Sequence, residues 1–247
     1  MSEHVPFSNV YGDERRAAAY DSLEFPGTYW LAFRDLPALL ARHARGRRAL
    51  DFGCGAGRST RFLRNLGYDP VGVDISAPML ERARARDPDG DYRLVPDGDL
   101  SALASDAFDL VLATFTFDNV PGAGRKTDLF RALGSLLVRE GRFVNLVSAP
   151  EIYLHEWASF STMEVPENRD AGSGDTVRIV MLDVPDRRPV QDVLFTERDY
   201  REAYRRAGLE VRALHRPLGR PDEPFAWVSE MEVSPWAIYV LERSGAG

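Results

Sequence analysis

The chain has one cysteine, Cys54, and only four histidines in 247 residues. A lone thiol excludes an intrachain disulfide and a multi-cysteine metal site, and it suits a reducing cytoplasm. His4, His43, His155 and His215 are scattered without metal-ligand spacing, so no metal is expected. No apolar run reaches the ~18 residues of a membrane span. The opening Met-Ser-Glu-His-Val-Pro-Phe lacks the basic and apolar regions of a signal peptide. Positive charge is also short: 31 Lys and Arg face 38 Asp and Glu, a net charge of -7. That mean field repels a phosphate backbone, so neither nucleic acid nor membrane is an expected partner. The densest basic run, Arg42 to Arg48, falls where a helix should end, and cations there suit the negative end of its dipole.

What is present is a regular alternation of strands and helices. A helical stretch over 13–44 is broken at Phe25-Pro26-Gly27, with Trp30, Phe33, Leu36 and Leu40 at helical spacing. Strands are expected at 48–52, 70–74, 91–95, 108–114 and 142–147. Helices are expected between them at 59–66, 76–86 and 127–139, with Ser76 capping one and Gly141 ending another. Such an alternation implies right-handed crossovers and a parallel sheet covered on both faces, with ligands beyond the carboxyl ends of the strands. Segments 175–183 and 189–195 read as an added antiparallel hairpin. Thr196 then caps a helix that Gly208 ends, and strands 209–215 and 236–241 follow. The expected organisation is one α/β domain over 1–247. It comprises a helical cap (1–46), a core (47–148), an inserted substrate cap (149–195) and a C-terminal helix with two strands (196–247).

The strongest local motif joins the first strand to the first core helix, Ala49-Leu-Asp-Phe-Gly-Cys-Gly-Ala-Gly-Arg58. Alternate glycines let backbone amides approach a ligand where a Cβ would collide. A dinucleotide fingerprint needs G-x-G-x-x-G, whereas here the third glycine arrives one residue early. Asp74 ends the second strand, where a carboxylate can accept both ribose hydroxyls of an adenosine; its simpler role is to cap the helix that follows.

Leu50 to Gly57, Val71-Gly-Val-Asp-Ile-Ser76 with Met79-Leu80, Asp97-Gly-Asp-Leu100, Phe108-Asp-Leu-Val-Leu112 and Leu136 to Phe143 resemble, in order and spacing, the motifs of class I S-adenosylmethionine-dependent methyltransferases. The resemblance spans 47–148 and extends to bacterial small-molecule enzymes of that superfamily. It implies a doubly wound, Rossmann-like seven-stranded α/β fold, mostly parallel with the last strand antiparallel. It also implies S-adenosyl-L-methionine as cofactor and S-adenosyl-L-homocysteine as product. The residues it assigns to the cofactor are Asp51, Gly53, Gly55, Gly57, Asp74 at the ribose, Ile75 and Met79 flanking the adenine, Asp99 (or Asp97) and Leu100 at the adenine edge, and Thr114. Tyr20 would close over the methionine end, and Arg34 is a candidate for its carboxylate.

Methyl transfer from a sulfonium requires alignment, exclusion of water and sometimes proton removal. Asp118 and Asn119, in the loop after the fourth strand, offer a carboxylate and an amide to an acceptor; as turn formers before Pro121 they equally suit a structural role. His155 is the candidate general base, since imidazole is the side chain used most often to take up a proton in catalysis. Tyr11, Tyr29, Trp30, Phe115, Phe117 and Trp157 are candidate pocket walls, and Glu230 could face the pocket too. The function expected is methylation of an O or N atom of a small molecule by a monomer or homodimer. A same-fold enzyme that cyclises the cofactor's aminobutyl arm and a nicotinamide-dependent oxidoreductase are the alternatives.

Overall fold

In the strands of the main sheet, neighbouring residues are buried on opposite faces, as a period of two requires. A computed structural model describes residues 26–245. Two short helices, α1 (Gly27–Arg34) and α2 (Leu36–His43), precede β1 (Arg48–Phe52). Then come α3 (Arg58–Asn65), β2 (Asp69–Asp74), α4 (Ala77–Arg86), β3 (Asp91–Leu94) and β4 (Phe108–Thr114). After α5 (Ala123–Leu136) and β5 (Leu137–Ser148), the short strand β6 (Phe160–Ser161) leads to β7 (Thr176–Met181) and β8 (Val190–Val193). The order closes with α6 (Glu197–Arg206), β9 (Leu209–His215) and β10 (Trp236–Arg243).

The seven-stranded sheet has the order β3-β2-β1-β4-β5-β10-β9. Its first five strands are mutually parallel, and β10 runs antiparallel to both β5 and β9. β6, β7 and β8 form a separate antiparallel sheet, the expected hairpin with one short strand added. Within β1 and β4, Ala49, Leu110 and Leu112 pack on one face and Leu50, Val111 and Ala113 on the other. The first face is covered by α1, α2 and the small sheet, which contribute Leu31, Leu36, Val177 and Ile179 to one continuous core. The second is covered by α5 and α6 through Phe130, Leu133, Tyr200 and Tyr204. The small sheet is therefore packed into the main core by its own apolar residues.

Local details differ from the sequence reading at two points. Helix α5 stops at Leu136, where Leu137 turns extended and its N–H bonds back to Gly134, so Gly141 lies within β5 rather than ending the helix. A register shift opposite Phe108 and Leu110 absorbs the extra residues. Ser76 precedes α4 but makes no side-chain cap, and its buried Oγ lacks a partner, because the Asp74 carboxylate takes the Ser76 N–H instead. The helical stretch before Phe33 begins at Gly27; its expected earlier part, 13–25, lies outside the described residues. Thr196, by contrast, caps α6 by accepting from the Asp199 N–H at 3.3 Å.

Candidate active site

The carboxyl ends of β1, β2 and β4 lie side by side, and the turn after β1 folds back over β2. The N–H groups of Gly53 and Cys54 both donate to the Val73 carbonyl, at 2.8 and 3.0 Å. Gly57 begins α3 with φ 78°, and a Cβ there would stand 2.6 Å from the Tyr92 hydroxyl, so both backbone and space demand glycine. At Gly55, with φ 52°, an added Cβ would meet only Met79 Cε, at 3.2 Å. The room around Gly55 belongs to a cleft of about 870 Å³.

Asp74 stands in this cleft. Its Oδ2 accepts from the Gly55 N–H and its Oδ1 from the Ser76 N–H, both at 2.8 Å. Burial raises its pKa, while the amides of Ser76, Gly55 and Ile75 pull the other way. Each oxygen retains lone-pair capacity, so the carboxylate can take a pair of ligand hydroxyls without losing its backbone donors. Ile75, Met79, Val95 and Leu129 make the walls beside it apolar.

A second cavity, about 430 Å³, adjoins the first and shares Phe115 and Asn119 with it. Phe115, at φ 61°, opens a short 3-10 turn (Thr116–Asp118) that carries the chain between the two spaces. The rings of Tyr29, Phe160 and Trp236 surround it: Phe115 lies 4.8 Å from Trp236, and Tyr29 4.8 Å from Phe160, between centroids. Two carboxylates also line this space. Asp118 accepts from the Ser148 N–H at 3.1 Å and the Ser148 hydroxyl at 2.9 Å. Asp192, reaching in from β8, accepts from the Tyr153 hydroxyl at 3.0 Å. Behind them the Lys126 ammonium, buried in α5, donates to the Phe117 carbonyl and lies 5.0 Å from the Phe195 ring centre.

Burial dominates the electrostatics here. It pushes Asp118 up to about 7, helped by the negative charge of Asp192 and opposed by Ser148 and Lys126. It raises Asp192 to about 6 against the Tyr153 hydrogen bond and Lys126, and lowers Lys126 to about 8 against the two carboxylates.

Residues 50–145 match the family model described as a methyltransferase domain. That match runs from β1 to β5, so this part of the chain is similar to a methyltransferase domain. An 18S rRNA (guanine-N(7))-methyltransferase of Bos taurus is 35% identical over 103 residues, 38% of this chain and 37% of that protein. Its namesake in Mus musculus is 26% identical over 222 residues, covering 71% and 79%. The chain thus spans little more than a third of the bovine relative it matches. Among solved structures, the CcbJ methyltransferase of Streptomyces caelestis superposes with a TM-score of 0.65 at 20% identity, over 90% of this chain and 100% of that one, and so shares its fold.

S-adenosylmethionine, the cofactor that the sequence resemblance implies, fits the first cleft: an acceptor carboxylate at Asp74, a Cβ-free approach at Gly55 and apolar walls together suit an adenosyl group. Gly53, Gly55, Asp74, Ile75, Met79 and Thr114 line that cleft. Asp51 lies behind it, fully buried, its Oδ2 accepting from Ser59 and Thr60 at 2.7 and 2.6 Å. Burial raises Asp51 to about 6 despite those two donors. Asp51 and Gly57 thus support the turn without lining the cleft. Asp99 is exposed and bonds the Ser101 N–H at 2.9 Å, whereas Asp97, at φ 53°, is the acidic residue on the cleft wall. Leu100 is buried in the core. Arg34 is engaged by Asp35 and Glu223, each at 2.7 Å, outside the cleft. Tyr20, like Tyr11, lies outside the described residues.

Asp118 and Asn119 reach the second cavity, but His155 lines neither space. Its carbonyl accepts from Thr162 at 3.1 Å and its ring packs 5.9 Å from Trp157, which is itself buried core. Glu230 is fully buried away from both, accepting from the Thr28 hydroxyl (2.6 Å) and the N–H groups of Ala158 and Val228 (2.8 Å each). Lys126 and Asp192 were not legible as site residues, yet each left a trace. Lys126 precedes Phe130 and Leu133 by four and seven positions, a charge on an apolar helix face. Asp192 occupies a buried strand position between an exposed Gln191 and a partly exposed Val193.

Proposed function

We propose that this protein moves the methyl group of S-adenosylmethionine to a small molecule held in the cavity beside Asn119. The observation that carries this reading is the adjacency of the two spaces: Phe115 and Asn119 line both, so an acceptor against the aromatic rings borders the cofactor cleft. S-adenosylmethionine brings an already electrophilic methyl group. The chain's own residues must then bind, orient, exclude water and receive a proton. Asp74 holds the ribose, Ile75 and Met79 flank the adenine, and Asp97 stands at its edge. Asn119 and the rings of Phe115 and Trp236 orient the acceptor, and the Asp118–Asp192 pair receives its proton. The inserted segment 149–195 supplies the far wall through Phe160, Ile179 and Asp192.

The rRNA-methylating relatives raise a second reading, an RNA base as acceptor. Charge placement favours the small molecule. The basic run up to Arg48 lies at the amino ends of the strands, away from the site, and Arg47 and Arg48 are paired with Asp69 and Asp109. Calorimetry with S-adenosylhomocysteine and NAD, followed by mass spectrometry of spent cofactor, tests the reading. Binding of the adenosyl ligand alone, with release of S-adenosylhomocysteine when an acceptor is present, is expected. Tight NAD binding, or methylthioadenosine as the sulfur product, would replace it.

A further inference from the structure

The second cavity is lined by an uncommon set of polar groups, nearly all of them acceptors. Asp192 gives one oxygen to Tyr153, and its Oδ1 accepts no hydrogen bond among the described residues. The Asn119 Oδ1 is buried without a partner, although its amide nitrogen reaches the Phe115 carbonyl at 3.5 Å. An orphaned buried acceptor costs about 1–3 kcal/mol, which a donor entering the cavity would offset. Three acceptor groups around one space ask for a ligand group with several N–H donors.

Charge gives the same answer independently. Asp118, Asp192 and Lys126 are all buried, and when all are ionised one negative charge is left without compensation. The other titratable groups facing them, Tyr153 from the turn after β5 and Tyr200 and Tyr204 from α6, are held neutral by burial. A buried net charge is costly, so the cluster must take up either a proton or a cation. The rings of Tyr29, Phe115, Phe160 and Trp236 beside the carboxylates favour the same kind of ligand, since ring faces attract cations.

We propose that the acceptor is an amine-bearing small molecule, its protonated nitrogen seated among Asp192, Asp118 and the Asn119 carboxamide and its apolar body against the four rings. This rests on the methyltransferase reading above and narrows it to nitrogen. The cluster's own proton leaves as the ammonium binds, and before transfer the ammonium gives one proton to the carboxylate pair. The freed nitrogen lone pair forms the new N–C bond, and the methyl's bond to sulfur breaks with its electrons left on sulfur. One proton is released per turnover. An alcohol could not neutralise the cluster, and a carboxylic acid would add to its charge.

The test uses the full chain saturated with S-adenosylhomocysteine, titrated with a series of arylalkylamines and with alcohols of identical skeleton. Amines should bind at least ten-fold more tightly than their alcohols. At pH 6, calorimetry in buffers of different ionisation enthalpy should show protons released by amines and none by alcohols. Asp192→Asn, isosteric and still able to accept from Tyr153, should erase the preference while S-adenosylhomocysteine affinity stays within two-fold. Equal or tighter binding of alcohols, no binding by any amine, absence of proton release, or a preference surviving in Asp192→Asn each overturns the proposal. Failure of S-adenosylhomocysteine itself to bind would instead strike the methyltransferase reading, so the two are told apart.

Discussion

The two spaces of the site are built in opposite ways. Every residue lining the cofactor cleft lies between Phe52 and Leu129, and its shape comes from a glycine turn, strand ends and backbone amides. The neighbouring cavity takes residues from Tyr29 to Trp236 and is defined by side chains: four rings, two carboxylates and a carboxamide. A backbone-built site can be written in a short stretch of sequence. A side-chain-built one exists only after distant segments have packed. The contrast also divides the energetics, since the cleft presents prepared hydrogen-bond partners while the cavity carries buried charge.

The sharpest way to break this comparison is Asp74→Ala, which removes the one acidic side chain that the backbone amides of Gly55 and Ser76 hold in the cleft. At about 1.5–3 kcal/mol for each charge-assisted bond lost, S-adenosylhomocysteine affinity should fall at least ten-fold by calorimetry. Unchanged affinity would mean that the amides alone make the site.

Glu230→Ala should act on the other region. It strips the acceptor from the buried Thr28 hydroxyl, at about 1–3 kcal/mol, and from the less buried N–H groups of Ala158 and Val228, which water can reach at smaller cost. A fall of roughly 5–15 °C in Tm is expected for a chain of this length. Below that transition the cofactor affinity should persist, because nothing Glu230 touches lines the cleft.

The buried carboxyls set a smaller, pH-dependent effect. Asp118 titrates at about 7 and Asp51 at about 6 in the folded protein, both above their unfolded value of 3.8. The folded state therefore binds more protons than the unfolded one, and stability falls as pH rises from about 4 through these values. Chemical denaturation should show Asp118→Asn flattening this decline over a window extending about a unit higher than Asp51→Asn does. Equal windows would undo the distinction between a paired and a solitary buried carboxyl.

The smallest effect is expected at His155. Because it lines neither space, His155→Ala should leave the methylation rate within about two-fold, against the 10²–10⁴-fold loss of a removed general base. A loss of that larger size would bring His155 into the chemistry.

These outcomes follow the line between what the sequence made legible and what it did not. The strand limits of β1 and β4, the crossover pattern and Gly53, Gly55 and Asp74 could be read because each depends on neighbours within a few residues. The Gly141 boundary could not, since a helix end set by the extended conformation of Leu137 and a register shift leaves no local mark. Asp99 and Asp97 compete within a three-residue stretch, and only the left-handed backbone at Asp97 separates them. His155 drew attention by its ring chemistry, but the turn after β5 directs Ile152, not His155, to the cavity. Asp192 and Lys126 acquire meaning only through each other, across 66 positions of chain.

The placement of β10 has a consequence for the order in which the molecule assembles. β10 follows β9 in the chain but lies between β5 and β9, and β9 pairs with no other strand of the sheet. While the chain emerges from its N-terminal side, the parallel core through β5 can pair completely, but β9 has nothing to pair with and the edge of β5 stays open. Trp236, the first residue of β10, is also a wall of the second cavity. The first cleft can thus form on an unfinished chain, whereas the second cavity closes only when β10 slides into its gap, so under the proposed function an incomplete copy would bind donor without holding an acceptor.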